Sequence, residues 1–132
     1  MLRLYKQNSC TVVPSTPQYL GMLQKAKDYI TWGEIDAETF QALLQKRGKV
    51  AGNKPLTEEY LKQYATTTYD AFVKDLFAFS QKLTDVPGLK PYFRLTPPAK
   101  GFERSGIKRP YAMGGALGYR RENINALLQR MI

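Results

Sequence analysis

Between Phe93 and Arg121 the chain reads FRLTPPAKGFERSGIKRPYAMGGALGYRR, and apolar periodicity vanishes while cations alternate with glycines, prolines and aromatics. A stretch with neither helical nor strand periodicity is expected to fold as a long loop, and loops of this length in compact domains are functional or disordered. From Lys90 to Arg121 there are eight basic residues against one acid, Glu103, which accounts for +7 of the chain's net +9. Residues 1–89 are nearly balanced, with 11 basic and 9 acidic side chains. The charge is therefore localised.

Clustered Lys and Arg attract a phosphate backbone without reading sequence, and most nucleic-acid affinity rests on that term. Here Phe93, Phe102, Tyr111 and Tyr119 are interleaved with the cations. Their flat faces suit unstacked bases or riboses, a mode commoner with RNA than with duplex DNA. The residue types assign roles: Arg94, Arg104, Arg109, Arg120 and Arg121 would bridge phosphates, Lys100 and Lys108 would add less directional charge, and Phe102 and Tyr111 would pack on bases or sugars. Gly114-Gly115-Ala116-Leu117-Gly118 lacks both the Lys-Ser/Thr ending of a P-loop and the helix of a dinucleotide fingerprint. Those glycines are expected to let the backbone approach phosphates or turn tightly in a confined space.

At 132 residues the chain is long enough for one domain with a real core, read as an α+β body over residues 1–89 and a basic extension with a closing helix over 90–132. An apolar content of 43% excludes wholesale disorder. No window approaches the roughly 18 apolar residues of a membrane span, and MLRLYKQNSC has no signal-like apolar run behind it. A soluble, cytoplasmic protein is the expectation. The chain has one cysteine, Cys10, and no histidine. That removes internal disulfides, Cys/His and Ser/His catalysis and His-bearing metal sites together. Cys10 reads as a small buried strand residue.

Along the body, strand and helix signals alternate. Asn8 to Val13 reads as a strand broken by Pro14. Thr16-Pro17 is a helix start, with Thr16 as N-cap and Pro17 where no amide hydrogen bond is lost. Tyr19, Leu20, Leu23, Ala26 and Ile30 then recur at helical spacing and predict one buried face. Ile30 to Ile35 reads as a short strand, and Asp36 as the N-cap of a helix whose stripe is Phe40, Leu43 and Leu44 and which Gly48 stops. Lys46, Arg47 and Lys49 crowd that helix's C-terminus, where cations suit the dipole or make a second RNA contact. After a turn-rich link from Val50 to Pro55, Thr57 opens a short helix. A longer one is predicted from Tyr69 to Leu83, with Phe72, Val73, Leu76, Phe77 and Phe79 as its apolar face. Leu89 to Leu95 reads as an edge strand because of Pro91, and Ile124, Leu127, Leu128 and Met131 form an amphipathic closing helix.

Catalytic chemistry is hard to find. Glu34, Asp36 and Glu38 are accounted for by a strand end, an N-cap and a first-turn acid. Trp32 reads as core rather than as a ligand platform. Neither an enzyme, a cofactor nor a small-molecule substrate is expected. A stand-alone RNA-binding regulatory protein would share the basic loop.

The runs TPQYLGMLQKAKDYITWGEI, DAETFQALLQKRGKV, FRLTPPAKGFERSGIKRP and GGALGYRRENINALLQRM, in this order, resemble the archaeal form of the large-subunit ribosomal protein "L thirty" family, relatives of the eukaryotic "L seven" proteins. The resemblance covers nearly the whole chain. It implies a structural, non-catalytic constituent of the large ribosomal subunit that contacts ribosomal RNA and neighbouring ribosomal proteins. The fold it implies is α+β, a ferredoxin-like relative with a small antiparallel sheet. Contacts transfer to the basic positions of FRLTPPAKGFERSGIKR and GYRR, and secondarily to KRG. Members of that family begin with a strand and a helix upstream of the segment matching LRLYKQNSC. The expectation is therefore that the true start lies upstream of Met1, and that the strands at Asn8 to Val13 and Ile30 to Ile35 lack the partner that would lie between them.

Overall fold

The computed structural model describes residues 2–64 and 66–132. The chain forms two compact units assembled from discontinuous stretches, one mainly of residues 13–36 and 96–131, the other mainly of residues 3–12 and 37–95 with Ile132.

In the second of these, strand β1 (Ser9–Thr11) pairs antiparallel with a later strand at Tyr92–Arg94, in the register Ser9 to Arg94, Cys10 to Phe93 and Thr11 to Tyr92. Pro91 lies just outside this ladder, as its missing N–H requires. Between these strands in sequence come helices α2 (Ala37–Arg47), α3 (Glu58–Tyr64) and α4 (Tyr69–Phe77). Phe40, Leu43 and Leu44 are buried as their spacing predicts, and α2 packs on α4, where Phe72 and Val73 are buried. Phe40 and Phe77 meet edge to face with ring centroids 6.0 Å apart. Gly48 follows the last residue of α2, and no larger residue fits there, since a Cβ would overlap the Leu44 carbonyl oxygen, which accepts the Gly48 N–H at 3.0 Å.

The helix predicted from Tyr69 to Leu83 is shorter than expected. It starts on Thr68, whose hydroxyl accepts the Ala71 N–H, and stops at Phe77. Phe79 N–H then donates to Leu76 O at 3.2 Å and Ser80 N–H to Asp75 O at 2.9 Å, the paired bonds of a Schellman ending. Phe79 takes the left-handed position at φ 58°, and its side chain is 73% exposed. A glycine would have announced this stop. Phenylalanine hides it, and the expected placement of Phe79 on the buried face is corrected.

The other unit holds α1 (Pro17–Lys25), β2 (Thr31–Trp32), the basic segment and α5 (Ile124–Met131). Thr16 caps α1 by accepting the Tyr19 N–H at 3.5 Å, with Pro17 at its first turn. The predicted buried face is only partly covered: Tyr19, Leu23 and Ala26 are half-buried and Leu20 is 49% exposed. A nine-residue helix in so small a unit finds limited surface to pack on. Strand β2 pairs in parallel with Gly118–Tyr119, so the chain's strands form two separate pairs, each bonded along one edge among the described residues. The α+β class holds. In chain order the strand at Tyr92–Arg94 is β3 and that at Gly118–Tyr119 is β4. Helix α5 buries Ile124, Leu127, Leu128 and Met131, the four residues its periodicity predicts.

Cys10 sits in β1, where burial pushes its thiol up to about 12 and its Sγ approaches only the Thr11 carbonyl, at 3.9 Å. The thiolate is the nucleophile. Iodoacetamide at pH 8 is therefore expected to label Cys10 at least about tenfold more slowly in the native chain than in 8 M urea. Equal rates in the two conditions would show that the strand is open.

Candidate nucleic-acid interface

The segment from Thr96 to Arg121 is folded rather than loose. Its beginning is tied to α5: Thr96 N–H and hydroxyl both donate to Met131 O, at 3.1 and 2.9 Å, and Ala99 N–H donates to Arg130 O at 3.1 Å. Further on the chain doubles back on itself. Ala116 N–H donates to Gly106 O at 3.0 Å, Tyr111 N–H to Leu117 O at 2.6 Å, and Ser105 N–H to Gly114 O at 3.3 Å. Gly115 is needed where the two arms touch, since a Cβ there would overlap the Arg109 carbonyl. Of the two uses expected for these glycines, Gly115 serves the tight turn in a confined space.

Arg120 holds the segment together. It is 2% exposed, and its guanidinium grips Glu103 through two hydrogen bonds, Nη1 to Oε1 at 2.5 Å and Nη2 to Oε2 at 2.8 Å. It also donates to Ala116 O at 2.7 Å and to Thr31 Oγ1 at 2.7 Å, while its Cζ lies 4.9 Å from the centre of the Tyr111 ring. The Arg120 hydrogen bonds hold the Glu103 carboxyl below the ordinary glutamate range despite its partial burial. The expected phosphate contact of Arg120 is thus corrected, because its donors are spent inside the protein. Tyr111 is half-buried beneath the same guanidinium. Phe93, expected among the flat faces for bases, is wholly buried in the core of the other unit.

Pairing Arg120 with Glu103 changes the electrostatics of the segment. Both its only acid and one of its cations are consumed, and seven cations from Lys90 to Arg121 remain with no carboxylate among them. In this unit Lys100, Arg104, Lys108, Arg109 and Arg121 are all exposed, and none makes a side-chain hydrogen bond or ion pair among the described residues. Phe102 is 43% exposed beside them. Tyr119 is exposed too, but its hydroxyl donates to Glu34, which raises its pKa, and its ring lies 6.0 Å from that of Trp32.

The remaining expected residues fall in the other unit. Lys46 and Lys49 are exposed and Arg47 is half-buried at the end of α2, and Arg94 is exposed on β3. Arg47, Lys49 and Arg94 line one cleft of about 230 Å³, together with Asn53, Lys90 and Tyr92. Lys46 is not among its lining residues.

Residues 1–30 match the family model described as ribosomal protein L30p/L7e. The chain is 52% identical over 135 residues to the large ribosomal subunit protein uL30 of Methanopyrus kandleri, covering all of this chain and 89% of that protein. The chain belongs to the uL30 family. It is likewise 50% identical to the uL30 protein of Methanococcus vannielii and 46% identical to that of Nanoarchaeum equitans, over all of this chain and 85% and 84% of theirs.

Within this uL30-family chain, two kinds of residue escaped sequence reasoning. Asn53 and Tyr92 carry no motif, and only folding gathers them around Arg47 with Lys90, whose charge counts toward the basic segment. Asn125 is 6% exposed on α5, where its side chain accepts the Asp36 N–H at 2.9 Å and donates to Glu34 O and Glu122 O. Its helical position gave no hint of this, since a polar residue in a short helix reads as solvent-facing.

Proposed function

We propose that Lys100, Arg104, Lys108, Arg109 and Arg121, with Phe102, form the RNA-facing surface of this chain. As a uL30-family member the chain is a structural constituent of the large ribosomal subunit, not an enzyme, and its partners are ribosomal RNA and neighbouring ribosomal proteins. The observation that carries the residue assignment is the internal pairing of Glu103 with Arg120. It rigidifies the segment while leaving every exposed charge on it positive. A pre-folded cationic lobe loses little conformational entropy when RNA closes around it. Arginine donors then bridge phosphate oxygens, and Phe102 offers a face to a base or ribose.

The test is sedimentation of tagged protein from its native cell lysate through sucrose gradients at moderate and high salt. Co-sedimentation with large subunits that survives moderate salt is the expected result. Protein remaining at the top of the gradient under gentle salt would favour a free RNA-binding factor instead.

A further inference from the structure

Resting on the RNA-binding reading above, we infer that the cleft lined by Arg47, Lys49, Asn53, Lys90, Tyr92 and Arg94 is a second RNA site, which takes one phosphodiester of an unpaired nucleotide with its base or ribose against Tyr92.

The strand pleat builds one wall. Successive side chains of β3 alternate between faces, so Phe93 enters the core while Tyr92 and Arg94 stand together on the other side. The opposite wall comes from the end of α2 and the turn after it. Arg47 is fixed there because Nε and Nη2 donate to Ile132 O at 3.2 and 2.9 Å. Lys90 N–H donates to Lys49 O at 2.9 Å, and Lys90 Nζ reaches Asn53 Oδ1 at 2.5 Å. Four cations therefore surround one concavity, no acidic side chain lines it, and none of the four forms an ion pair with a described Asp or Glu.

Arg47 spends two donors on Ile132 O, but Lys49, Lys90 and Arg94 meet no described carboxylate; like charges so gathered repel one another, and a bound anion removes that cost. A metal ion is unsuited to this cleft for the same reason. About 230 Å³ cannot admit a duplex, but it has room for one phosphodiester with its sugar. The half-buried Tyr92 ring adds what a bare phosphate does not use, a flat apolar face on which a splayed base or ribose stacks.

The experiment measures binding of the full chain to a transcript of large-subunit ribosomal RNA as a function of salt. Lys49 and Arg94 are exposed and their side chains make no hydrogen bond among the described residues, so K49Q/R94Q leaves the fold intact, which circular dichroism checks. The double variant is expected to lower the log–log salt slope by about one, the share of the single phosphate held there. Tyr92→Leu is expected to weaken binding about tenfold with the slope unchanged, and Tyr92→Phe to restore it. An R104Q/K108Q variant reports the extension separately. Wild-type affinity and slope in K49Q/R94Q, alongside a reduced slope in R104Q/K108Q, would overturn the second site and leave the extension's role standing. Binding by the unaltered chain that ignores salt would overturn both.

Discussion

Replacing Arg104, Lys108 and Arg109 together by Gln is expected to flatten the log–log salt dependence of ribosomal RNA binding by about three. These side chains are exposed and engage no partner among the described residues, so their removal acts on phosphate contacts rather than on the fold. With about six phosphates engaged, counterion release weakens the unaltered chain by about three orders of magnitude between about 50 and 200 mM salt. With three fewer contacts the same change in salt costs about one and a half orders. Filter binding across that range reads both slopes directly. A triple variant with the parent's slope would remove the extension from the RNA interface. The loss should be nearly independent of RNA sequence, because phosphate contacts position without specifying.

The second large effect belongs to a residue that sequence reasoning places on RNA and the structure places inside the protein. Arg120→Leu strips two hydrogen bonds from Glu103, leaves the Ala116 carbonyl without its partner and removes the donor to Thr31 Oγ1, which keeps its own bond to Gly118 O. Breaking one side of a fully buried pair costs about 3–5 kcal/mol, and because Glu103 is only half-buried and rehydrates in part, the loss here is about 2–3 kcal/mol. The weaker contact of Glu103 with Arg130, at 3.8 Å, does not replace the lost bonds. Arg120→Lys is expected to rescue little, since one ammonium cannot present the planar fork that serves four acceptors at once. Urea titration followed by amide exchange should show the loss concentrated in residues 103–120. Protection equal to the parent's in Arg120→Leu would mean that the backbone bonds alone hold the segment.

The same pair sets a pH dependence. The pKa of Glu103 is lowered in the folded chain, chiefly by its hydrogen bonds from Arg120. The pair's contribution is therefore fully present above the unfolded glutamate value of about 4.3 and is lost as pH falls through the lower folded value. Glu103→Gln removes that acid-sensitive part. In the pH range below about 4.3 its stability should fall less steeply than the parent's.

Much of this molecule was legible in its residues. The stripe of Ile124, Leu127, Leu128 and Met131, the stripe of Phe40, Leu43 and Leu44, the Thr16 cap and the stop at Gly48 all express local rules, in which side chains three or four apart share a face and short polar groups satisfy free amides. The localisation of positive charge is a property of composition and needs no fold. What tertiary structure decided are the matters in which residues distant in sequence choose each other. Whether Arg120 meets phosphate or Glu103 depends on a chain reversal closing 17 residues. Whether Phe93 faces a base or the core depends on the pleat of a strand paired with residues more than 80 positions earlier. The cleft around Tyr92 exists only because the end of α2 and strand β3 come together. Sequence alone set how much charge this chain carries and where along it; packing set which charges are spent inside and which are left for RNA, because a buried cation must find its partner within the fold while an exposed one need not.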